Sequence, residues 1–214
     1  MIQLQSASAS YQGVGILHDI DLQVYEGEKL ALVGQSGSGK STLIKLIYEH
    51  YPANTALVPQ DYGLVNHLSV FHNVYMGCLA QHSTLYNLAN LIRPKRDQVE
   101  KVRATLVGLQ LEDYLFHPVG RLSGGQKQRV AVARSLFQRG SLLLADEPVS
   151  SVDEQQSRVV IRQMLNGFST VVFALHDIQL ALSFCDRIIG LEKGRIVLDS
   201  PAKSLTEKEL LSLY

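Results

Sequence analysis

Eight consecutive residues combine three glycines with a closing lysine and hydroxyl: Gly34-Gln35-Ser36-Gly37-Ser38-Gly39-Lys40-Ser41. Glycines in such a loop let the backbone curl until successive N–H groups point at one anion. Lys40 can then reach the β- and γ-phosphates of a nucleotide, and the Ser41 hydroxyl can bind Mg²⁺. The alternative is a Gly/Ser turn that ends in Lys-Ser by chance. The motif predicts a phosphate-binding loop (P-loop), provided that a strand precedes it and a helix follows it.

An acidic pair follows a second apolar stretch of the chain. Residues 141–145 predict a buried strand, and Asp146 and Glu147 come directly after it. An Asp at the carboxyl end of a core strand is where a P-loop protein holds Mg²⁺. The adjacent Glu147 can polarise a water molecule for attack on the γ-phosphate. The alternative is a pair of strand-end acids that caps a neighbouring helix.

Two more polar residues follow predicted strands. His176 comes after the apolar run 170–175, and Gln60 comes after the short run 55–58. Ligands of a parallel sheet bind at the carboxyl ends of its strands, which makes His176 a candidate, although a lone histidine is usually structural. Spacing alone makes Gln60 a loop residue.

Two further positions have the residue types of a nucleotide site. Ser123-Gly124-Gly125-Gln126 opens a predicted helix, with Ser123 as its N-cap and paired glycines that leave N–H groups exposed to a second anion. The alternative is an ordinary glycine-rich helix start. Tyr11 lies just ahead of the nucleotide core and can stack on a purine, although a tyrosine at a strand end more often packs or faces solvent.

The surrounding elements alternate between strands and helices. The apolar run 30–33 precedes the P-loop as a strand, and residues 42–48 follow it with helical spacing, as the motif requires. Residues 1–10 and 16–24 alternate as half-exposed strands do. Apolar spacing from 64 to 107 favours a mostly helical lobe inserted in an α/β core. Later segments predict helices at 153–165, 178–185 and 206–214 and a hairpin over 187–198.

The composition excludes several classes of protein. In 214 residues, 20 Lys and Arg balance 20 Asp and Glu, so no basic field attracts nucleic acid. No apolar run approaches the roughly 20 residues that a membrane span needs. We expect no signal peptide, because residues 1–6 lack a basic start and an apolar stretch. Cys78 and Cys185 match no metal or redox spacing, so we expect free thiols in a reducing cytosol.

In their order along the chain, these motifs resemble those of ABC transporter ATP-binding subunits. The P-loop and Gln60 are followed by Leu-Ser-Gly-Gly-Gln at 122–126, the strand with Asp146 and Glu147, the loop 150–153 and His176. A P-loop is shared with many NTPases, whereas the 122–126 motif upstream of an Asp-Glu strand is far more specific. The resemblance covers essentially the whole chain.

The resemblance implies one ABC ATPase domain of the α/β class. Its P-loop NTPase core would have a mostly parallel sheet and comprise 1–63 and 117–214, with a small antiparallel β-subdomain. A helical subdomain would occupy about 64–116, and no regulatory domain would follow. Family members usually carry an antiparallel hairpin or more between the P-loop helix and the glutamine strand. Here 48–55 bridges that gap almost directly, so we expect a trimmed β-subdomain with every catalytic motif intact.

The resemblance also implies a role for each motif. Glu147 would be the general base, and His176 would contact the γ-phosphate and hold the attacking water, with Lys40 and Gln60 completing the catalytic set. The implied Mg²⁺ ligands are Ser41, Gln60 and Asp146. The implied ATP contacts are Tyr11 on adenine, Gly34, Gln35, Ser36, Gly37, Ser38, Gly39, Lys40, Ser41 and Thr42 at the P-loop, and Ser123, Gly124, Gly125 and Gln126 from a facing subunit.

The resemblance further implies partners. Two subunits would face each other head to tail, so ATP would join a homodimer that hydrolysis releases. The chain would bind integral membrane permease subunits at the cytoplasmic face of the cell membrane and serve, indirectly, a periplasmic or extracellular substrate-binding protein. Gln60 would sense the permease. Leu64, His67, Leu68 and Phe71 either contact the permease or form the core of the helical lobe.

A finer resemblance is to the ATPases of phosphonate importers, carried by 61–77, 144–153, His176-Asp177 and 187–191. It favours an importer of phosphonate or a related oxyanion. An export or lipoprotein-release complex is the alternative. A soluble repair or ribosome ATPase would carry a long coiled-coil insert or tandem nucleotide domains, and a non-hydrolysing switch would lack Glu147 or Ser123. Neither description fits this chain.

Overall fold

The structure, a computed structural model, describes residues 2–214 and divides into two compact units. The first unit comprises residues 2–60, Ser141–Pro148 and Phe168–Tyr214, and the second comprises Asp61–Gly140 and Val149–Gly167. The strands are β1 (Ile2–Tyr11), β2 (Val14–Val24), β3 (Lys29–Val33), β4 (Thr55–Val58), β5 (Leu142–Asp146), β6 (Thr170–Ala174), β7 (Arg187–Glu192) and β8 (Arg195–Pro201). The helices are α1 (Lys40–His50), α2 (Val70–Tyr75), α3 (Thr84–Ile92), α4 (Arg96–Val107), α5 (Gly124–Gln138), α6 (Glu154–Gly167), α7 (Ile178–Phe184) and α8 (Glu207–Leu211).

A six-stranded sheet with the order β4-β5-β6-β3-β7-β8 forms the centre of the first unit. All neighbours are parallel except β7 and β8, which form the predicted antiparallel hairpin. Every residue of β5 and β6 is buried, which explains why their sequences are continuous apolar runs rather than alternating ones. Ala174 of β6 pairs with Asp146 of β5, and Leu32 of β3 also pairs with Ala174, so three strands end at one edge of the sheet.

A separate antiparallel pair, β1 and β2, makes the second sheet of this unit. Its turn consists of Gln12 and Gly13, both with positive φ, which is the backbone that a two-residue hairpin favours. The predicted alternation places one set of side chains inward, and the fully buried members are Ile2, Leu4, Leu17, Ile20, Leu22 and Val24. The predicted first strand also included Met1, which lies outside the described residues.

The connection after the P-loop helix is as short as its sequence indicates. Helix α1 ends at His50 and β4 begins at Thr55. The predicted fold class, with a parallel-rich sheet, a small antiparallel sheet and an all-helical segment, is confirmed. The predicted domain boundaries remain a prediction, and residues 64–116 form part of the second unit.

The second unit contains α2 to α6. Arg134 of α5 anchors the first residues of this unit, because its guanidinium donates to the Tyr62 and Gly63 carbonyls at 2.7 and 2.6 Å. Phe71 of α2 is fully buried and stacks on Tyr75 with ring centroids 5.8 Å apart, so it belongs to the core of this unit. His67, by contrast, is exposed.

Within residues 2–214, no helix has both the length and the apolar character that crossing a bilayer demands.

Candidate active site

The P-loop connects β3 to α1 through a backbone that requires glycine. Gly34 has a φ of +137°, and a Cβ there would lie 2.2 Å from the Leu191 carbonyl oxygen. Gly39, with a φ of +109°, is the N-cap of α1, and a Cβ there would meet a Leu17 methyl at 2.7 Å. The first N–H groups of a helix have no partner within the helix, so the start of α1 offers donors to an anion.

Lys40 is buried, with 5% of its surface exposed. Its ammonium donates to the Gly34 carbonyl at 2.7 Å and to the Gln35 carbonyl at 3.0 Å. Burial lowers the pKa of Lys40, while the charges of Glu147 and Asp146 act in the opposite direction. The loop therefore holds a cation at its centre, with two acids near enough to favour the charged form.

Asp146 has the features of a metal ligand. It ends β5, it is buried, and its Oδ1 atom has no hydrogen-bond partner. Burial raises the pKa of this carboxyl and so does Glu147, whereas a hydrogen bond from Ser41 and the charges of Lys40 and His176 lower it. An unpartnered carboxylate oxygen beside a hydroxyl suits Mg²⁺, which takes oxygen ligands.

Besides Ser41, Asp146 and the candidate Gln60, the Mg²⁺ ligands would be waters and phosphate oxygens. Residues 2–214 contain no cluster of three or more His, Cys, Asp or Glu side chains arranged around a metal. Mg²⁺ usually keeps several waters and is held by one or two carboxylates together with substrate phosphates. The Ser41–Asp146 pair fits that mode of binding.

Glu147 and His176 lie in contact, with Glu147 Oε1 and His176 Nε2 separated by 2.6 Å. The pairing of β5 with β6 explains this contact, because the Glu147 N–H donates to the Ala174 carbonyl at 3.1 Å, two residues before His176. Glu147 has a φ of +51°, an uncommon conformation for a residue with a side chain. Strain of this kind is concentrated at functional sites. The side chains of His176 and Glu147 are 41% and 17% exposed, so water reaches both.

Tyr11 borders a cavity next to the P-loop helix. It is 67% exposed, and the cavity, of about 400 Å³, is also lined by Ser41, Thr42, Lys45 and Ile16. The structure thus brings an exposed aromatic ring and the first turn of α1 to one cavity. This volume and lining suit a purine base adjoining a phosphate site.

Gln60 is exposed and follows β4, whose Val58 pairs with Ala145 of β5. This pairing places Gln60 at the same edge of the sheet as Asp146. It remains a candidate Mg²⁺ ligand by position.

The second unit brings the 123–126 motif together at the start of α5. Ser123 Oγ accepts from the Gln126 N–H at 3.3 Å, and Gln126 Oε1 accepts from the Ser123 N–H at 2.9 Å, which is a capping box. A Cβ on Gly125 would lie 2.7 Å from the Ser151 carbonyl oxygen. The motif and the loop after Ser150 line one cavity of about 380 Å³, to which Arg129 also contributes.

Sequence analysis missed two residues of these sites. Gln128, fully buried in α5, accepts from the Ser151 N–H at 2.9 Å and donates to Ser150 Oγ at 3.2 Å. A glutamine on the apolar face of a helix was the signal for it. Tyr214, whose hydroxyl bonds to Gly34, had no local signal because 180 positions separate the two residues.

Comparisons with known proteins identify the family. Residues 17–150 match the ABC transporter family. The phosphonates import ATP-binding protein PhnC of Escherichia coli O157:H7 is 31% identical over 248 positions, which cover 100% of this chain and 94% of that protein. PhnC of Pseudomonas putida is 35% identical over 242 positions, covering 100% and 89%.

A solved structure has the same fold. The dimeric structure of MJ0796, a bacterial ABC transporter cassette, superposes with a TM-score of 0.82 at 25% identity, covering 94% of this chain and 99% of that one. Fold, motif order and relatives therefore agree, and the chain belongs to the ABC transporter family.

Proposed function

We propose that this chain is the ATP-binding and ATP-hydrolysing subunit that powers a membrane importer, and that the imported substrate is a phosphonate or a related oxyanion. The observation that carries the catalytic part is the 2.6 Å contact of Glu147 with His176 in the same unit as the P-loop. The relatives named as phosphonate importers, which align along the whole chain, support the substrate class.

The hydrolytic step uses few residues. Glu147 accepts a proton from water as the water oxygen bonds to the γ-phosphorus and the bond to the bridging oxygen breaks, leaving ADP and inorganic phosphate. His176 orients Glu147 through their hydrogen bond. Lys40 exchanges its carbonyl partners for phosphate oxygens. Mg²⁺, held by Ser41 and Asp146 with Gln60, would neutralise charge on the phosphates.

We infer that ATP joins two copies of the chain and that permease subunits hold this dimer at the cytoplasmic face of the membrane. The cavity at Ser123–Gln126, with helix N–H groups at its edge, supports an anion-binding role for this motif. The dimeric cassette with which this chain superposes supports the assembly. A substrate-binding protein on the other side of the membrane would deliver the phosphonate.

The Glu147→Gln variant tests the ATPase assignment. We expect it to bind ATP–Mg²⁺, to lose turnover and to form a dimer that light scattering detects during size-exclusion chromatography, because the amide cannot accept the proton. Glu100→Gln, an exposed substitution on α4, is the matched control and should hydrolyse ATP as the parent does. Turnover by the Glu147→Gln variant would show that another group is the base.

The substrate class is tested with the ATPase assembled with its permease in lipid vesicles. We expect a binding protein loaded with methylphosphonate to stimulate ATP hydrolysis, and the same protein offered sulfate to leave the rate at its basal value. Stimulation by sulfate alone would indicate that the imported substrate is a different oxyanion.

A further inference from the structure

The hydroxyl of Tyr214 bridges two loops of the first unit. It accepts a hydrogen bond from the Gly34 N–H at 3.3 Å and donates one to the Leu175 carbonyl at 3.3 Å. Gly34 is the first residue of the P-loop, and Leu175 is the residue before His176. One side chain thus connects the start of the phosphate-binding loop to the start of the turn that carries His176.

This bridge lies just beyond the point where the pairing of β3 with β6 ends. Strands β3 and β6 pair as far as Leu32 and Ala174, and the Leu175 N–H still donates to the Leu32 carbonyl at 3.0 Å. The pairing of strand β3 with strand β6 ends there, and Gly34 turns the backbone with a φ of +137°. The phenol hydroxyl therefore supplies a cross-link one step past the last backbone hydrogen bond.

Gly34 also helps to hold Lys40, together with Gln35. Its carbonyl accepts from the Lys40 ammonium at 2.7 Å, while its N–H is held by Tyr214. The neighbouring Gln35 side chain donates to the main-chain oxygen of Tyr214. These contacts tie Tyr214 to the first two residues of the loop. Once nucleotide binds, Lys40 exchanges the two carbonyls for phosphate oxygens, so its bound position no longer depends on Tyr214.

The ring of Tyr214 also lies beside His176. The two ring centroids are 6.4 Å apart with an interplanar angle of 59°, and His176 in turn contacts Glu147 at 2.6 Å. Burial raises the pKa of Tyr214, the hydrogen bond from the Gly34 N–H lowers it, and the nearby acids Asp177 and Glu147 raise it, with a net rise.

We propose that Tyr214 is a positioning residue for hydrolysis: it sets the spacing between the P-loop and His176, and through His176 the placement of Glu147. The proposal rests on the proposed ATPase function. The N–H groups that the resemblance assigns to the phosphates belong to residues 37–40, at the other end of the loop from Gly34 and Gln35. Tyr214 therefore affects the rate of the chemical step rather than nucleotide affinity.

The test is Tyr214→Phe, which removes the hydroxyl and keeps the ring. The matched control is Tyr25→Phe, because the Tyr25 hydroxyl bonds to Gln23 at 3.2 Å on an exposed part of the same unit. We expect Tyr214→Phe to lower kcat for ATP hydrolysis roughly 2- to 10-fold, the rate equivalent of one neutral hydrogen bond, with KM for ATP unchanged. Tyr25→Phe should change neither constant.

A second readout follows the histidine itself. The ring-proton NMR signal of His176, assigned by its loss in His176→Ala, should shift in Tyr214→Phe and stay in place in Tyr25→Phe. An unchanged kcat with an unshifted signal would overturn the proposal, as would a parallel loss of kcat and ATP affinity, which indicates general destabilisation. Absence of ATP turnover by the unmodified chain would instead contradict the proposed function on which this inference depends.

Discussion

Lys40 is an ammonium group that the fold removes from water and surrounds with acceptors. Two P-loop carbonyls bind it, and the acids Asp146 and Glu147, at the end of β5, lie near it. A buried cation costs free energy unless it is paired or hydrogen-bonded. The loop carbonyls offset that cost here, and phosphate oxygens can replace them when a nucleotide binds.

Replacing Lys40 with Ala should therefore weaken ATP binding itself. We expect the Kd for ATP, measured by calorimetry, to rise roughly 10- to 100-fold, the equivalent of one charged hydrogen bond. Lys101→Ala is the control, because the Lys101 ammonium lies 4.0 Å from Asp97 in an exposed pair on α4. Equal ATP affinities of the Lys40→Ala variant and the parent would show that the P-loop does not bind the nucleotide.

At the scale of elements, two helix starts carry most of the proposed anion binding, and each begins in a different way. Helix α1 begins after Gly39 and has no side-chain cap, so its first N–H groups depend on an outside acceptor. Helix α5 begins with the reciprocal bonds of Ser123 and Gln126. Ser123 therefore has a structural task, capping α5, in addition to the phosphate contact that we propose for it.

The two tasks of Ser123 can be separated by Ser123→Asp in the Glu147→Gln background. Aspartate caps a helix as well as serine does, so Tm should be kept. Its negative charge should repel the γ-phosphate and prevent the ATP-dependent dimer in size-exclusion chromatography.

Ser83→Asp is the control, because Ser83 caps α3 by accepting from the Tyr86 N–H at 3.4 Å. That variant should dimerise like its parent. An ATP-dependent dimer of Ser123→Asp would contradict the shared-site arrangement.

At the scale of the whole molecule, stability depends on ionisable groups buried in their neutral form. Cys78 and Cys185 are both buried and unpaired. Burial raises the pKa of Cys185 to about 12, from an ordinary value of 9.0. Above pH 9 the unfolded thiol ionises while the native one keeps its proton. The free energy of unfolding consequently falls as the pH rises from about 9 toward 12.

Cys185→Ser should remove this dependence, because serine does not titrate in that range. We expect the stability advantage of the parent over Cys185→Ser to be constant below pH 9 and to shrink by up to about 1.4 kcal/mol per pH unit above it. Urea unfolding between pH 7 and 11 measures it. A difference that stays the same across the whole range would show that Cys185 is not buried as a neutral thiol.

The local structure of this protein follows from its sequence alone. The P-loop, the hairpin turn at Gln12 and the cap at Ser123 depend on residues within a few positions of one another. Strands β5 and β6 were recognisable because burial on both faces leaves a continuous apolar run. Since polar residues at strand ends lie at one edge of a parallel sheet, Asp146, Glu147 and His176 could also be assigned to one site.

Contacts between residues far apart in the chain could not be predicted and became visible only in the folded structure. The order β4-β5-β6-β3-β7-β8 places Ala174 between Asp146 and Leu32, and this order brings Glu147 to His176. Residues such as Gln128 and Tyr214 acquire their partners from how whole elements pack. Such contacts depend on the shapes of several elements at once, whereas periodicity and turn chemistry report only on near neighbours in the chain.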